Sequence, residues 1–161
     1  MHLRHLRVDW RLAAAPVVAL LAVTVGCGSS GEAGKAAACG DTSATTLAEV
    51  RREVFVSCLS SSCHGGGGHE GQLDLATDPH KALINVAPDP KGAATRGWTV
   101  PAGLSRVTPN DETKSFLYLK LTLPSVKDPL LGHRMPDTGQ TLDECSIQKV
   151  RDWIRRGAPN D

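Results

Sequence analysis

Cys58 and Cys63 enclose the four residues Leu59-Ser60-Ser61-Ser62, and His64 follows the second cysteine directly. Two thiols and an imidazole in that order can hold a haem covalently. Each thiol adds across a vinyl group to form a thioether, and the adjoining imidazole offers a ring nitrogen to the iron. Two residues between the cysteines is the usual number. The extra two must bulge without moving His64, and three small serines make a bulge easy. The same residues support two other readings. In an oxidising compartment Cys58 and Cys63 can close a short disulfide loop if their geometry permits. Cys58, Cys63, His64 and His69 also have the donor types of a zinc site. Against zinc, the side chains of adjacent residues diverge, and the four glycines Gly65 to Gly68 precede His69.

An iron held by His64 needs a ligand on its opposite face. Met135 is the candidate. Apart from the initiator it is the only methionine, and it sits in Arg134-Met135-Pro136, a loop rather than a helical stripe. Pro136 restricts the backbone of Met135, which suits a ligand presented from a rigid loop. His133, two residues earlier, is the alternative. Trp98, Arg96 and Arg134 are residue types that hydrogen-bond haem propionates, and a surface role fits them equally well. His69 and His80 read as solvent-exposed.

The N-terminus bears on the compartment. Met1 to Arg11 carries Arg4, Arg7 and Arg11 against one acid, Asp9, and Leu12 to Val25 is an uncharged run of 14 residues. That is a basic n-region and an apolar run too short to span a bilayer. It ends at Thr24-Val25-Gly26-Cys27, which resembles a bacterial lipobox, with cleavage before Cys27 and acylation of that cysteine. Thr24 stands where Leu is usual, and an ordinary secretory signal is the other reading. Either way the chain is expected to be exported, to the periplasm or cell surface, where disulfides persist. Residues 1–26 are then a lipoprotein-type signal peptide. Residues 27–45, rich in Gly, Ser, Ala and Thr, form a flexible tether. Residues 46–161 form one domain of ordinary size. Three arginines and one aspartate leave with the signal, so the 18 basic and 17 acidic residues of the whole chain reduce to a net charge of −1. That excludes a basic nucleic-acid binder. Only five aromatic residues remain, and so small a domain with so little bulky apolar material calls for a staple or a cofactor.

The elements that must position these residues read as helices. Thr46 and Glu49 form a capping box opening a helix that ends near Cys58, with Leu47, Val50 and Val54 on one face. Asp78-Pro79 starts a second helix. Residues 87–107 read as a long irregular loop. Thr108-Pro109 starts a third helix through Phe116, Leu117 and Lys120. Thr141 and Glu144 form a second capping box, opening a last helix with Ile147, Val150 and Ile154 on one face and Arg155, Arg156 and Gly157 at its end. No strand is expected, and the fold class is all-α, a small helical domain with long loops wrapping a ligand.

Taken together, Cys58, Cys63 and His64, the run Gly71-Gln72-Leu73-Asp74-Leu75, Arg134-Met135-Pro136, and Leu142, Ile147, Trp153-Ile154 and Gly157-Ala158 resemble an exported bacterial cytochrome c-like domain, from about residue 47 onwards. The resemblance implies one covalent haem c attached through Cys58 and Cys63, His64 as proximal and Met135 as distal ligand. The terminal helices would cross each other. The activity implied is one-electron transfer, with both iron faces occupied and no enzyme chemistry. Partners would be exported redox proteins met transiently, with the membrane reached through Cys27. Cysteine arithmetic then leaves Cys39 and Cys145 for a disulfide if the first and last helices pack together. The same pair remains if Cys58 joins Cys63, so parity does not choose. The alternative function is a haem-free envelope lipoprotein, stapled by Cys58–Cys63 and Cys39–Cys145, acting as a binding or structural module.

Overall fold

A computed structural model describes residues 39–66 and 70–161. The signal peptide, Cys27 and His69 therefore lie outside the described residues. The chain order is α1 (Leu47–Glu53), a 3-10 turn (Phe55–Cys58), α2 (Pro79–Leu83), α3 (Pro90–Thr95), α4 (Phe116–Thr122), β1 (Lys127–Asp128), β2 (Gly132–His133) and α5 (Glu144–Arg155), with short 3-10 turns at Glu70–Gln72 and Glu112–Lys114. The domain is mostly helical, as expected. The ribbon of β1 and β2, antiparallel with Lys127 opposite His133 and Asp128 opposite Gly132, is an addition to the all-α expectation.

α1 begins as its sequence dictates. The Thr46 hydroxyl accepts the Glu49 amide at 3.1 Å, and the Glu49 carboxylate accepts the Thr46 amide at 2.8 Å. Such a cap is worth about 1 kcal/mol. The helix buries Leu47 and Val50, then tightens into the 3-10 turn that buries Phe55 and ends on Cys58. Its partner is α5, which buries Val150, Trp153 and Ile154. These residues form one core with Val54, Leu75, Leu83, Val107, Leu121 and Ala158. Removing a large apolar side chain from water stabilises the fold by roughly 1.5–3 kcal/mol, so Trp153, Phe55 and Ile154, all fully buried, dominate it.

Three expectations are corrected. The cap of α5 is Asp143, whose carboxylate accepts the Ser146 amide at 2.9 Å and also the Ser146 hydroxyl. Thr141 lies two residues too early. The stretch 87–107 holds α3, capped by Asp89 in the way that Asp78 caps α2. Thr108-Pro109 opens a turn and not a helix. Asn110 takes a left-handed φ of 65°, and its amide is drawn to the Ile154 carbonyl at 2.8 Å, which pulls the chain out of helical course until Phe116. Of residues 27–45, read as a tether, those from Cys39 on are described. Cys39 is bonded to Cys145, Thr42 and Thr45 are buried, and the Thr42 hydroxyl donates to Asp152.

Candidate functional site

The loop from Cys58 to His64 closes on itself. The His64 amide donates to the Cys58 carbonyl at 3.1 Å, and the Cys63 amide donates to Ser60 at 3.0 Å. The two extra residues are thus absorbed in a tight turn of serines, and His64 is brought back beside the residue where the loop began. Gly65 makes this closure feasible, because any Cβ there would run into the Leu59 carbonyl. The first glycine after the histidine is therefore a steric requirement.

Cys58 and Cys63 carry free thiols and are half-buried. Burial pushes the Cys58 thiol above its ordinary pKa, which keeps it protonated at neutral pH. His64 is half-buried too. Its Nδ1 lies 3.3 Å from the Leu73 carbonyl. A carbonyl only accepts, so the proton sits on Nδ1 and Nε2 carries the lone pair. Burial lowers the His64 pKa, so the ring is neutral at physiological pH. The Leu75 amide returns to the His64 carbonyl at 2.9 Å, so residues 73–75 grip the histidine from both its ring and its backbone.

Behind that grip stands Arg106, only 9 % exposed. Its Nη2 donates to the carbonyls of Gly71 at 2.9 Å and Gln72 at 3.0 Å, and its Nη1 to Ala82 at 3.0 Å. One guanidinium ties the two residues before Leu73 to the end of α2. Burial lowers its pKa, but a guanidinium stays charged throughout the physiological range.

Met135 is half-buried and packs against the same core as Cys58, Leu59 and Leu73. It is carried on the segment after β2. Its amide donates to the Lys120 carbonyl at 2.9 Å, and the Arg134 amide donates to Val126 at 2.8 Å. Trp98 stacks on Phe116, with ring centroids 6.1 Å apart, and Gly132 passes against the Trp98 ring with φ of 74°. A Cβ at 132 would lie 2.7 Å from that ring. Lys120 is 7 % exposed, with its ammonium 5.1 Å from the Trp98 centroid. Burial pushes its pKa down to about 8, against a smaller opposing pull from Asp137.

His133, the alternative ligand, is exposed, and its Nδ1 lies 3.0 Å from Asp137 Oδ1. His80 is half-buried rather than exposed. Its Nε2 donates to the Ala158 carbonyl at 3.1 Å and pins the C-terminal tail. Arg96 pairs with Glu70, and Arg134 Nη1 reaches the Leu123 carbonyl at 3.4 Å, so both are engaged with protein groups. Cys39 and Cys145 are bonded, with Cα atoms 5.1 Å apart across a sequence separation of 106. The structure therefore assembles Cys58, Cys63 and His64 in one closed loop, sets Met135 on the same core, and joins Cys39 to Cys145.

No protein-family model, curated protein or solved structure matches the chain. Sequence reasoning missed three participants. The Leu73 carbonyl is a backbone acceptor that no side chain announces. Arg106 and Lys120 look like surface cations until the fold buries them. The Gly71-Gln72-Leu73 run was the available pointer to the first two.

The donor set fits a covalent haem. Two free thiols flank the loop, the imidazole is neutral and held through Nδ1, and a thioether stands on the same core.

Proposed function

We propose that this domain carries one covalent haem c and passes single electrons between exported redox proteins, tethered to a membrane through Cys27 and without enzymatic activity of its own. The observation that carries the reading is the His64–Leu73 bond, because it fixes the tautomer and ring orientation that an iron-binding histidine needs. The haem would supply an iron centre that changes oxidation state by one electron. The chain's own residues do the rest. Cys58 and Cys63 provide thiols for attachment. Leu73 holds the proton of His64 on Nδ1, and stronger donation to that carbonyl would make Nε2 the better ligand. Met135 offers a thioether, which favours the reduced state relative to a second histidine. Half-burial of all four excludes part of the solvent, which raises the cost of the oxidised charge and lifts the potential further. If His64 and Met135 both held the iron, no coordination position would be left for a substrate.

The test is redox titration of the exported protein made in a host with c-type maturation. One reversible one-electron wave is expected, moving to lower potential in Met135→Ala. Protein that takes up no electron in the titration would overturn the proposal.

A further inference from the structure

We infer that Lys120 is the positioning residue for Met135, since it bonds both ends of the segment Leu131–Met135. Its ammonium donates to the Leu131 carbonyl at 2.9 Å, and its own carbonyl accepts the Met135 amide, also at 2.9 Å. The side chain enters the segment where the ribbon turns back, and the backbone receives it where the thioether is presented. This rests on the reading of Met135 as an iron ligand.

Placing an ammonium at 7 % exposure is unfavourable unless its donors are met. No carboxylate forms an ion pair with it among the described residues; Asp137 and Asp128 act on it only at a distance. An unbranched apolar side chain of the same reach would fill the space without the desolvation penalty. What the ammonium gains is the Leu131 carbonyl and the faces of Trp98 and Phe116, at 5.1 and 5.8 Å from its nitrogen. Those partners converge on one place. Trp98 is also the ring that presses on Gly132, one residue along the same segment. Between the two ends the Arg134 amide is held by Val126 and His133 pairs with Lys127 across the ribbon. Every residue from 131 to 135 is therefore fixed by the β1–β2 ribbon, by Trp98 or by Lys120 itself. A thioether delivered from a segment fixed at both ends loses little conformational freedom on binding iron, which is what a positioning residue contributes.

The test uses the haem-loaded full chain and three variants, Lys120→Met, Lys120→Arg and Met135→Ala, with two readouts. The first is the ferric methionine-to-iron absorption in the red together with the reduction potential. Lys120→Met is expected to keep one haem per chain, lose most of that absorption and shift the potential toward the Met135→Ala value, and Lys120→Arg to recover part of both. Absorption and potential unchanged in Lys120→Met, with both altered in Met135→Ala, would overturn the role of Lys120 and leave the ligand reading standing. No change in Met135→Ala would overturn the ligand reading and this inference with it. The second readout needs no variant and no haem. In the wild-type protein the Met135 amide is expected to exchange hydrogen at least roughly 100-fold more slowly than exposed loop amides such as Gly103. Equal exchange at the two positions contradicts a segment clasped at both ends, whatever the variants do.

Discussion

The loop of His64 and the segment of Met135 are held by the same device in two strengths. Each leans on a buried cation that forms no ion pair with a carboxylate among the described residues and bonds backbone carbonyls instead. Arg106 spreads its fork over three carbonyls, Gly71, Gln72 and Ala82, and those belong to two separate stretches of chain. Lys120 meets one, Leu131, and completes its environment with aromatic faces. A planar guanidinium suits several fixed acceptors at once, whereas an ammonium acts as a point charge on a flexible stem. The lesson concerns rigidity. His64 sits in a loop that closes backbone to backbone and is braced from behind, while Met135 rides on a short ribbon supported by Lys120, the Trp98 ring and the backbone bonds of the ribbon. The cations stand on one continuous stretch, Arg106 to Lys120, so the two halves share a common support.

The comparison is broken most sharply by exchanging each cation for a methionine. Arg106→Met strands three carbonyls and should cost about 3 kcal/mol or more in urea unfolding. Lys120→Met strands one carbonyl and removes the desolvation penalty of the ammonium, so about 1 kcal/mol is expected. The reverse order would mean that the His64 loop does not depend on its guanidinium.

Glycines probe the close approaches on each side. Gly65→Ala drives a Cβ into the Leu59 backbone, which has no flexible end to move aside, and should destabilise by about 2–3 kcal/mol while lowering the yield of attached haem. Gly132→Ala meets an aromatic ring at a left-handed backbone and should cost about 1–3 kcal/mol, with its effect confined to the Met135 signature. Spectra of the two variants check whether the halves fail separately. Loss of haem attachment in Gly132→Ala would join what the geometry keeps apart.

The smallest effect concerns the shared support. Asp111 caps the 3-10 turn between the cations, accepting from the Thr113 and Lys114 amides; the Thr113 hydroxyl first and the Lys114 ammonium second depress its pKa from 3.8 to about 2. The unfolded chain therefore binds more protons than the folded one in this range. The stabilisation is fully present above about pH 4 and is lost as pH falls toward 2. Asp111→Asn should lower stability at neutral pH and flatten the loss between pH 4 and 2, measured by thermal unfolding across that window. An unchanged acid profile would mean that other carboxylates govern it.

Much of this was legible in the residues because it is local. The Thr46 capping box, the Asp78-Pro79 start and the closure of α5 near Gly157 depend on a few neighbours. So does the grouping of Cys58, Cys63 and His64. The pairing of Cys39 with Cys145 followed from the expected contact of the first and last helices. What sequence did not disclose is tertiary. The start of α4 was displaced because Asn110 bonds to Ile154, 44 positions away in the chain. α3 was hidden because its six residues bury only Ala93 and leave no apolar stripe. Arg106 and Lys120 carry no mark of burial in their neighbours, since the carbonyls they serve come from distant loops.

The most direct measurement is a pyridine haemochrome spectrum with an intact mass, on wild-type protein and on Cys58→Ala/Cys63→Ala, both exported from a host that attaches haem to a control protein. One covalent haem per wild-type chain and none in the double variant is the expected result. A colourless wild-type protein, with Cys58 and Cys63 joined to each other beside the Cys39–Cys145 bond, would contradict electron transfer and leave an envelope module stapled by two disulfides.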